Sequence, residues 1–180
     1  KQEEYQIEET GKLNTRYLHE IYTDVENLFQ EKEEKNIRTR VSLVVDRSGS
    51  MRGSRWDICI NAVNLLANAF KKAINQGAPG DMRIYAFADN AKMIVDNVDN
   101  YASITVEQFC RKSDDIGGGT NLARCVNHVV NDVEGDPEFR NIIIVITDAD
   151  VDGSEINTMI NNISTSDARV MYIAVQTVFN

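Results

Sequence analysis

The chain has 180 residues, 42% of them apolar, which is enough for one domain with a sizeable core. Its 28 Asp and Glu against 19 Lys and Arg give a net charge of −9, which repels phosphate backbones and anionic membrane surfaces, so neither nucleic acid nor membrane is expected as a partner. No run of about 18 apolar residues offers a bilayer span, and the opening KQEEYQIEETG lacks the charged-then-apolar pattern of a secretory leader.

Residues 1–40 differ from the rest. Leu18, Ile21, Tyr22, Val25 and Leu28 recur at helical spacing and the charge run EKEEK follows, which predicts an amino-terminal amphipathic helix and a charged linker. Residues 41–180 then alternate strands with helices. VSLVVD (41–46) is the first strand. A long helix from about Trp56 to Ile74 follows, with Ile58, Ala62, Leu65, Ala69 and Ala73 on its inner face. Trp56, Phe70 and Phe87 are expected in the core. The turn APGD leads into MRIYAFA (82–88). Asp89 and Asn90 separate that strand from AKMIV (91–95), a gap that suits a hairpin and predicts one antiparallel edge strand. Next come a short helix around TVEQFC, the loop DDIGGGT, and a helix with Leu122, Cys125, Val126, Val129, Val130 and Val133 on one stripe; EGDP breaks the chain after it. RNIIIVITD (140–148) is almost continuously apolar, as a central parallel strand covered on both faces should be. A helix bearing Ile156, Met159, Ile160 and Ile163 and a strand VMYIAV (170–175) complete the series.

This alternation predicts an α/β, Rossmann-like three-layer domain: a mostly parallel central sheet with one antiparallel edge strand and helices on both faces. Such sheets bind ligands beyond the carboxyl ends of their strands, near the point where strand order reverses. Polar residues concentrate there, as DRSGSM after the first strand and TDADVDG after the apolar one, with GGGT between them. The three cysteines, Cys59, Cys110 and Cys125, are odd in number and widely spaced, and two fall on apolar helix faces. Reduced core thiols and a cytoplasmic location are the expectation.

TDADVDGSE invites several metal readings. As an EF-hand loop it would carry Asp148, Asp150, Asp152 and Gly153 at the right places, but Met159 stands where a bidentate glutamate is required. The string TDADVDGS is also similar to the second metal motif of the TOPRIM domain of type II topoisomerases. That resemblance implies a metal-dependent nucleic-acid enzyme, the alternative function. It needs a glutamate at the end of a first strand, well upstream, and the nearest similar string, VEGD, lies just before the strand that carries Asp148.

A third reading uses three separated segments: Asp46, Ser48 and Ser50 in VVDRSGSM, Thr120 in GGGT, and Asp148 in VITD. This constellation resembles the von Willebrand factor type A domain and its metal-ion-dependent adhesion site, over residues 41–176. Hydroxyl and carboxylate oxygens are hard ligands, suited to Mg2+, with Mn2+ or Ca2+ as substitutes, and unsuited to zinc or copper. The resemblance implies that Ser48, Ser50 and Thr120 contact the ion, with Asp46 and Asp148 bound directly or through water. Hydroxyls then replace carboxylates that would neutralise the cation, and a glutamate or aspartate of a partner protein completes its shell. The glycines before Thr120, and Gly49, are expected to let backbone pass close to the ion. Asp152, three residues before Glu155, reads as a helix cap and Asp150 as a solvated rim residue.

Other chemistries fit less well. Ser48 and Ser50 lack a base, since His19 and His128 lie on helices with no spacing that links them to a serine, and no lysine follows the glycines as a phosphate loop demands. Arg47 and Arg52 flank the serines and are expected to be exposed beside the site, where they can face an acidic partner. GKLNTRYLHEIYTDVENLF (11–29), the charged spacer and SGSMRG are similar to the corresponding region of cobaltochelatase-type subunits. That implies a non-enzymatic intracellular adaptor for an AAA+ ATPase or a chelatase-like complex; the type A domain of Ro-like RNA-binding proteins, where the RNA is held mainly elsewhere, is the other intracellular alternative. Family members usually have six strands where five are counted here, so the far edge of the sheet is expected to be truncated or covered by the amino-terminal helix.

Overall fold

The computed structural model describes residues 38–134, 136 and 138–148, and the backbone of 169–174. Strands β1 (Arg38–Asp46), β2 (Gly80–Phe87), β3 (Ala91–Val95), β4 (Phe139–Thr147) and β5 (Arg169–Ala174) form one sheet in the order β3-β2-β1-β4-β5. β1 pairs in parallel with β2 and β4, β4 pairs in parallel with β5, and β3 returns antiparallel to β2 as the edge hairpin expected from its two-residue turn. β1 begins three residues before the apolar run that announces it. Arg38 and Arg40 extend it by stacking over the Phe139 ring of the neighbouring strand, and Arg40 also reaches Asp136 at 3.0 Å.

Alternate residues of the central strands feed two cores. Val41, Leu43, Val45, Ile84, Ile142, Ile144 and Ile146 pack beneath α1 (Ser54–Asn75) and α2 (Val106–Lys112). Val44, Tyr85, Phe87, Ile143 and Val145 pack beneath α3 (Leu122–Val133). These are the three layers, helices on both faces. They arise because β1 and β4 are covered on both sides and so are apolar at both parities. The whole stripe expected on α3 is buried. Phe70 and Phe87 are in the core, and Trp56 is half-buried against it. α2 starts with a capping box in which Thr105 Oγ1 accepts from the Gln108 N–H and Gln108 Oε1 accepts from the Thr105 N–H.

α1 departs from expectation by one position. Its inner face is Cys59, Ile60, Ala62, Val63, Leu66, Ala67 and Phe70, whereas Leu65 is 50% exposed. Alanines occupy both candidate stripes, and the bulk of Val63, Leu66 and Phe70 decides which one turns inward. Leu66→Ala is therefore expected to cost about 2–4 kcal/mol and Leu65→Ala no more than about 0.5 kcal/mol, read by urea denaturation. Equal losses at the two positions contradict this face.

The amino-terminal helix, Asp150, the Asp152 cap and the helix around 156–163 lie outside the described residues. No helix among the described residues is long and apolar enough to cross a membrane.

Candidate functional site

β1 is the strand at which the chain order reverses: its first crossover leads to β2 on one side and later ones to β4 on the other. The crevice beyond the carboxyl ends of β1 and β4 is thus the position where an open α/β sheet accepts a ligand. Asp46 ends β1, fully buried. The last registered pair of the two strands is Val45↔Ile146, so Asp46 stands one step further on, beside Thr147. Thr147 Oγ1 donates to Asp46 Oδ2 at 2.5 Å, and the Ser48 N–H donates to Asp46 Oδ1 at 2.6 Å. Burial pushes the Asp46 carboxyl above its ordinary value, the bonds from Thr147 and Ser48 oppose that, and the charge of Asp148 adds to the rise.

A single 3-10 turn, Gly49–Met51, then carries the chain round onto the sheet end, anchored by the fully buried Met51. It brings the Ser48 and Ser50 hydroxyls to 2.9 Å from each other. Ser50 Oγ donates to Asp148 Oδ1 at 2.9 Å, and Arg55 Nη1, from the first turn of α1, donates to Asp148 Oδ2 at 2.5 Å and to the Ser50 carbonyl at 3.1 Å. Asp148 directly follows β4, and its side chain is 3% exposed. Asp46, Ser48, Ser50 and Asp148, which span more than a hundred residues of sequence, therefore form one continuous chain of hydrogen bonds.

Thr120 reaches the same end of the sheet on the glycine loop. The Gly49 N–H donates to the Gly118 carbonyl at 3.1 Å, and the Asn121 N–H to the Ala88 carbonyl at 2.9 Å, so backbone on both sides of Thr120 is tied to the ends of β1 and β2. Thr120 is exposed, and among the described residues its hydroxyl has no hydrogen-bond partner. It belongs to the cluster by loop placement alone. Asn121 then caps α3 by accepting from the Arg124 N–H.

One sequence expectation changes here and another gains a second reason. Gly117 and Gly119 have a steric reason of their own: Asp89 Oδ2 accepts from the Gly118 N–H at 3.1 Å and the Gly119 N–H at 3.2 Å, and a Cβ at Gly117 or Gly119 would lie 2.0 or 2.2 Å from the Asp89 carboxylate. Gly117 also has φ +90. At Gly49 a Cβ would meet only an ordinary contact. Arg47 is half-buried and donates to the Gly117 carbonyl at 2.7 Å, so it braces the loop; Arg52 is exposed as expected. Arg55, Asp89 and Thr147 are the site residues that sequence reading passed over.

Among the described residues no three His, Cys, Asp or Glu side chains gather as a metal group, so cation binding here would need the hydroxyls as ligands. An oxygen-only set of two carboxylates and hydroxyls fits a hard divalent ion. The thiols play no part. Cys59 and Cys125 are buried and Cys110 half-buried, none forms a disulfide, and burial pushes the Cys125 thiol up to about 11 and that of Cys59 higher still.

The family model described as von Willebrand factor type A domain matches residues 41–151, more than half of the chain. The chain belongs to this family. Among solved structures, the type A domain is similar to an aerotolerance-related membrane protein from Bacteroides fragilis with multiple mutations to serines, at TM-score 0.55 and 19% identity, over 76% of this chain and 67% of that one. It is also similar to proximal thread matrix protein 1 from the mussel byssus, at TM-score 0.53 and 17% identity, over 77% of this chain and 38% of that one. At these identities the likeness is one of fold. No curated protein matches the chain significantly. In this fold Thr147, the first residue of TDADVDGS, ends β4 and Asp148 directly follows it. Glu134, the glutamate the TOPRIM reading would need, sits at the C-cap of α3 instead of at a strand end.

Proposed function

We propose that this type A domain binds a divalent cation of magnesium type through Asp46, Ser48, Ser50, Thr120 and Asp148, and uses it to hold an aspartate or glutamate of a partner protein. The type A fold is a protein-interaction module. The observation that carries the reading is the hydrogen-bonded run Ser48 Oγ, Ser50 Oγ, Asp148 Oδ1 beside buried Asp46, with the Thr120 loop tied to Gly49. With hydroxyls supplying much of the shell, the two carboxylates leave the ion able to attract an outside acid. The domain performs no bond chemistry in this reading and works as a binding subunit.

The finer reading is a cytoplasmic adaptor of cobaltochelatase flavour whose acidic partner is an AAA+ ATPase. It is supported by the resemblance of residues 11–29 and SGSMRG and by three free thiols. The test is calorimetric titration with MnCl2, followed by purification of the partner complex in Mg2+ and in EDTA. The domain is expected to bind the ion and to release its partner on chelation. A complex that survives EDTA unchanged contradicts the bridge.

A further inference from the structure

We infer that Arg55 is a resident counterion of the site, competing with the divalent cation for Asp148 and so setting how tightly the cation is held; this rests on the function proposed above. Asp148 Oδ2 accepts from Arg55 Nη1 at 2.5 Å, and the same nitrogen is fixed by the Ser50 carbonyl at 3.1 Å. The other three carboxylate oxygens of the site accept from the chain's own groups: Asp148 Oδ1 from Ser50, Asp46 Oδ1 from the Ser48 N–H, and Asp46 Oδ2 from Thr147. With Arg55 seated, every oxygen of the two carboxylates has a donor and the negative charge of Asp148 has a partner at contact distance.

The pair is sheltered, with side-chain exposures of 25% for Arg55 and 3% for Asp148, so its interaction is screened less than that of a surface pair. A guanidinium keeps its charge at any ordinary pH and has no lone pair to offer a metal. It therefore cannot join the cation's shell as a ligand; it opposes the cation by repulsion across the carboxylate and by holding Oδ2, one of that carboxylate's two acceptors. Arg55 stands in the first turn of α1, one helical turn past the 3-10 turn that carries Ser50. It can thus swing off Asp148 without any change in the sheet. The site has a closed, internally satisfied form and an open, cation-bound form, and Arg55 sets the balance between them.

The test compares the wild-type chain with Arg55→Gln and Arg55→Lys by calorimetric titration with MnCl2 alone, and by thermal melting in EDTA. Arg55→Gln is expected to bind Mn2+ about tenfold more tightly, the worth of one charge-assisted contact, and to melt lower than wild type in EDTA. Arg55→Lys, which keeps the charge and the fold but not the fork, is expected to fall between them. If the wild type binds Mn2+ and Arg55→Gln binds it no more tightly, the counterion role is overturned while the cation site stands. If none of the three binds Mn2+ at millimolar concentration, the cation site itself is overturned and the competition with it.

Discussion

Asp46→Asn is expected to abolish cation binding while leaving the cation-free domain at least as stable as the wild type. The side chain is fully buried, and burial holds its carboxyl above the ordinary value. The folded protein therefore binds the Asp46 proton more firmly than the unfolded chain does. The stability this group contributes is complete below 3.8, the unperturbed value, and is lost as pH rises through the raised one. Asparagine has no charge to lose. Its carbonyl oxygen can accept from the Ser48 N–H as Asp46 Oδ1 does, and its amide can donate to the rotatable Thr147 hydroxyl. Asp46→Ala, by contrast, strands both donors and is expected to cost about 2–4 kcal/mol. Melting wild type and Asp46→Asn in EDTA between about pH 4 and 7 checks this. The midpoint difference should widen in favour of Asn as pH rises. A lower midpoint for Asn at neutral pH would mean that the ionised carboxylate holds the fold together, contrary to a group retained for a ligand at some cost to stability.

Gly117→Ala and Gly119→Ala are both expected to displace the Thr120 loop, but by mechanisms that a second substitution separates. At Gly119 the new methyl meets the Asp89 carboxylate oxygen at 2.2 Å. Asp89 can swing away only by giving up its bonds to the Gly118 and Gly119 N–H groups, an expected loss of about 1–2 kcal/mol. Asp89→Gly in the same chain removes the obstacle, so the double variant should lose less than the sum of the two single losses. At Gly117 the methyl meets Asp89 Oδ2 at 2.0 Å, and the backbone stands at φ +90, which costs a side chain a further 1–2 kcal/mol or so. Asp89→Gly cannot relieve that second contribution. Gly117→Ala is thus expected to lose roughly 2–4 kcal/mol and to stay destabilised beside Asp89→Gly. Denaturant midpoints of the three single and two double variants decide the matter, and full rescue at Gly117 would contradict the backbone argument.

The layer architecture was readable in the sequence because the strongest patterns were unambiguous. In α3 every apolar position falls on one stripe with polar residues opposite, and in β4 the run Ile142–Ile146 allows only a strand covered on both faces. α1 was harder because alanines line two adjacent stripes, and side-chain volume chooses between them. The strand ends were readable too: Asp46 is the last residue of β1 and Asp148 directly follows β4, where polar residues end the apolar runs. Arg55 and Asp89 were hidden for a different reason. Their partners lie 93 residues away at Asp148, and 29 and 30 residues away at Gly118 and Gly119, and only the sheet register brings those segments together. The glycine loop stands out in the sequence, but the Asp89 side chain against Gly117 and Gly119 does not, because its 28–30-residue separation hides the contact.

The most direct measurement is the anomalous difference map of crystals soaked in MnCl2. A single strong peak is expected about 2.0–2.2 Å from the Ser48, Ser50 and Thr120 hydroxyls, flanked by the Asp46 and Asp148 carboxylates, with Arg55 turned off Asp148 Oδ2. A peak elsewhere on the domain, or a fully occupied ion that none of these hydroxyls touches, would contradict the cation site and the carboxylate-bridging function built on it.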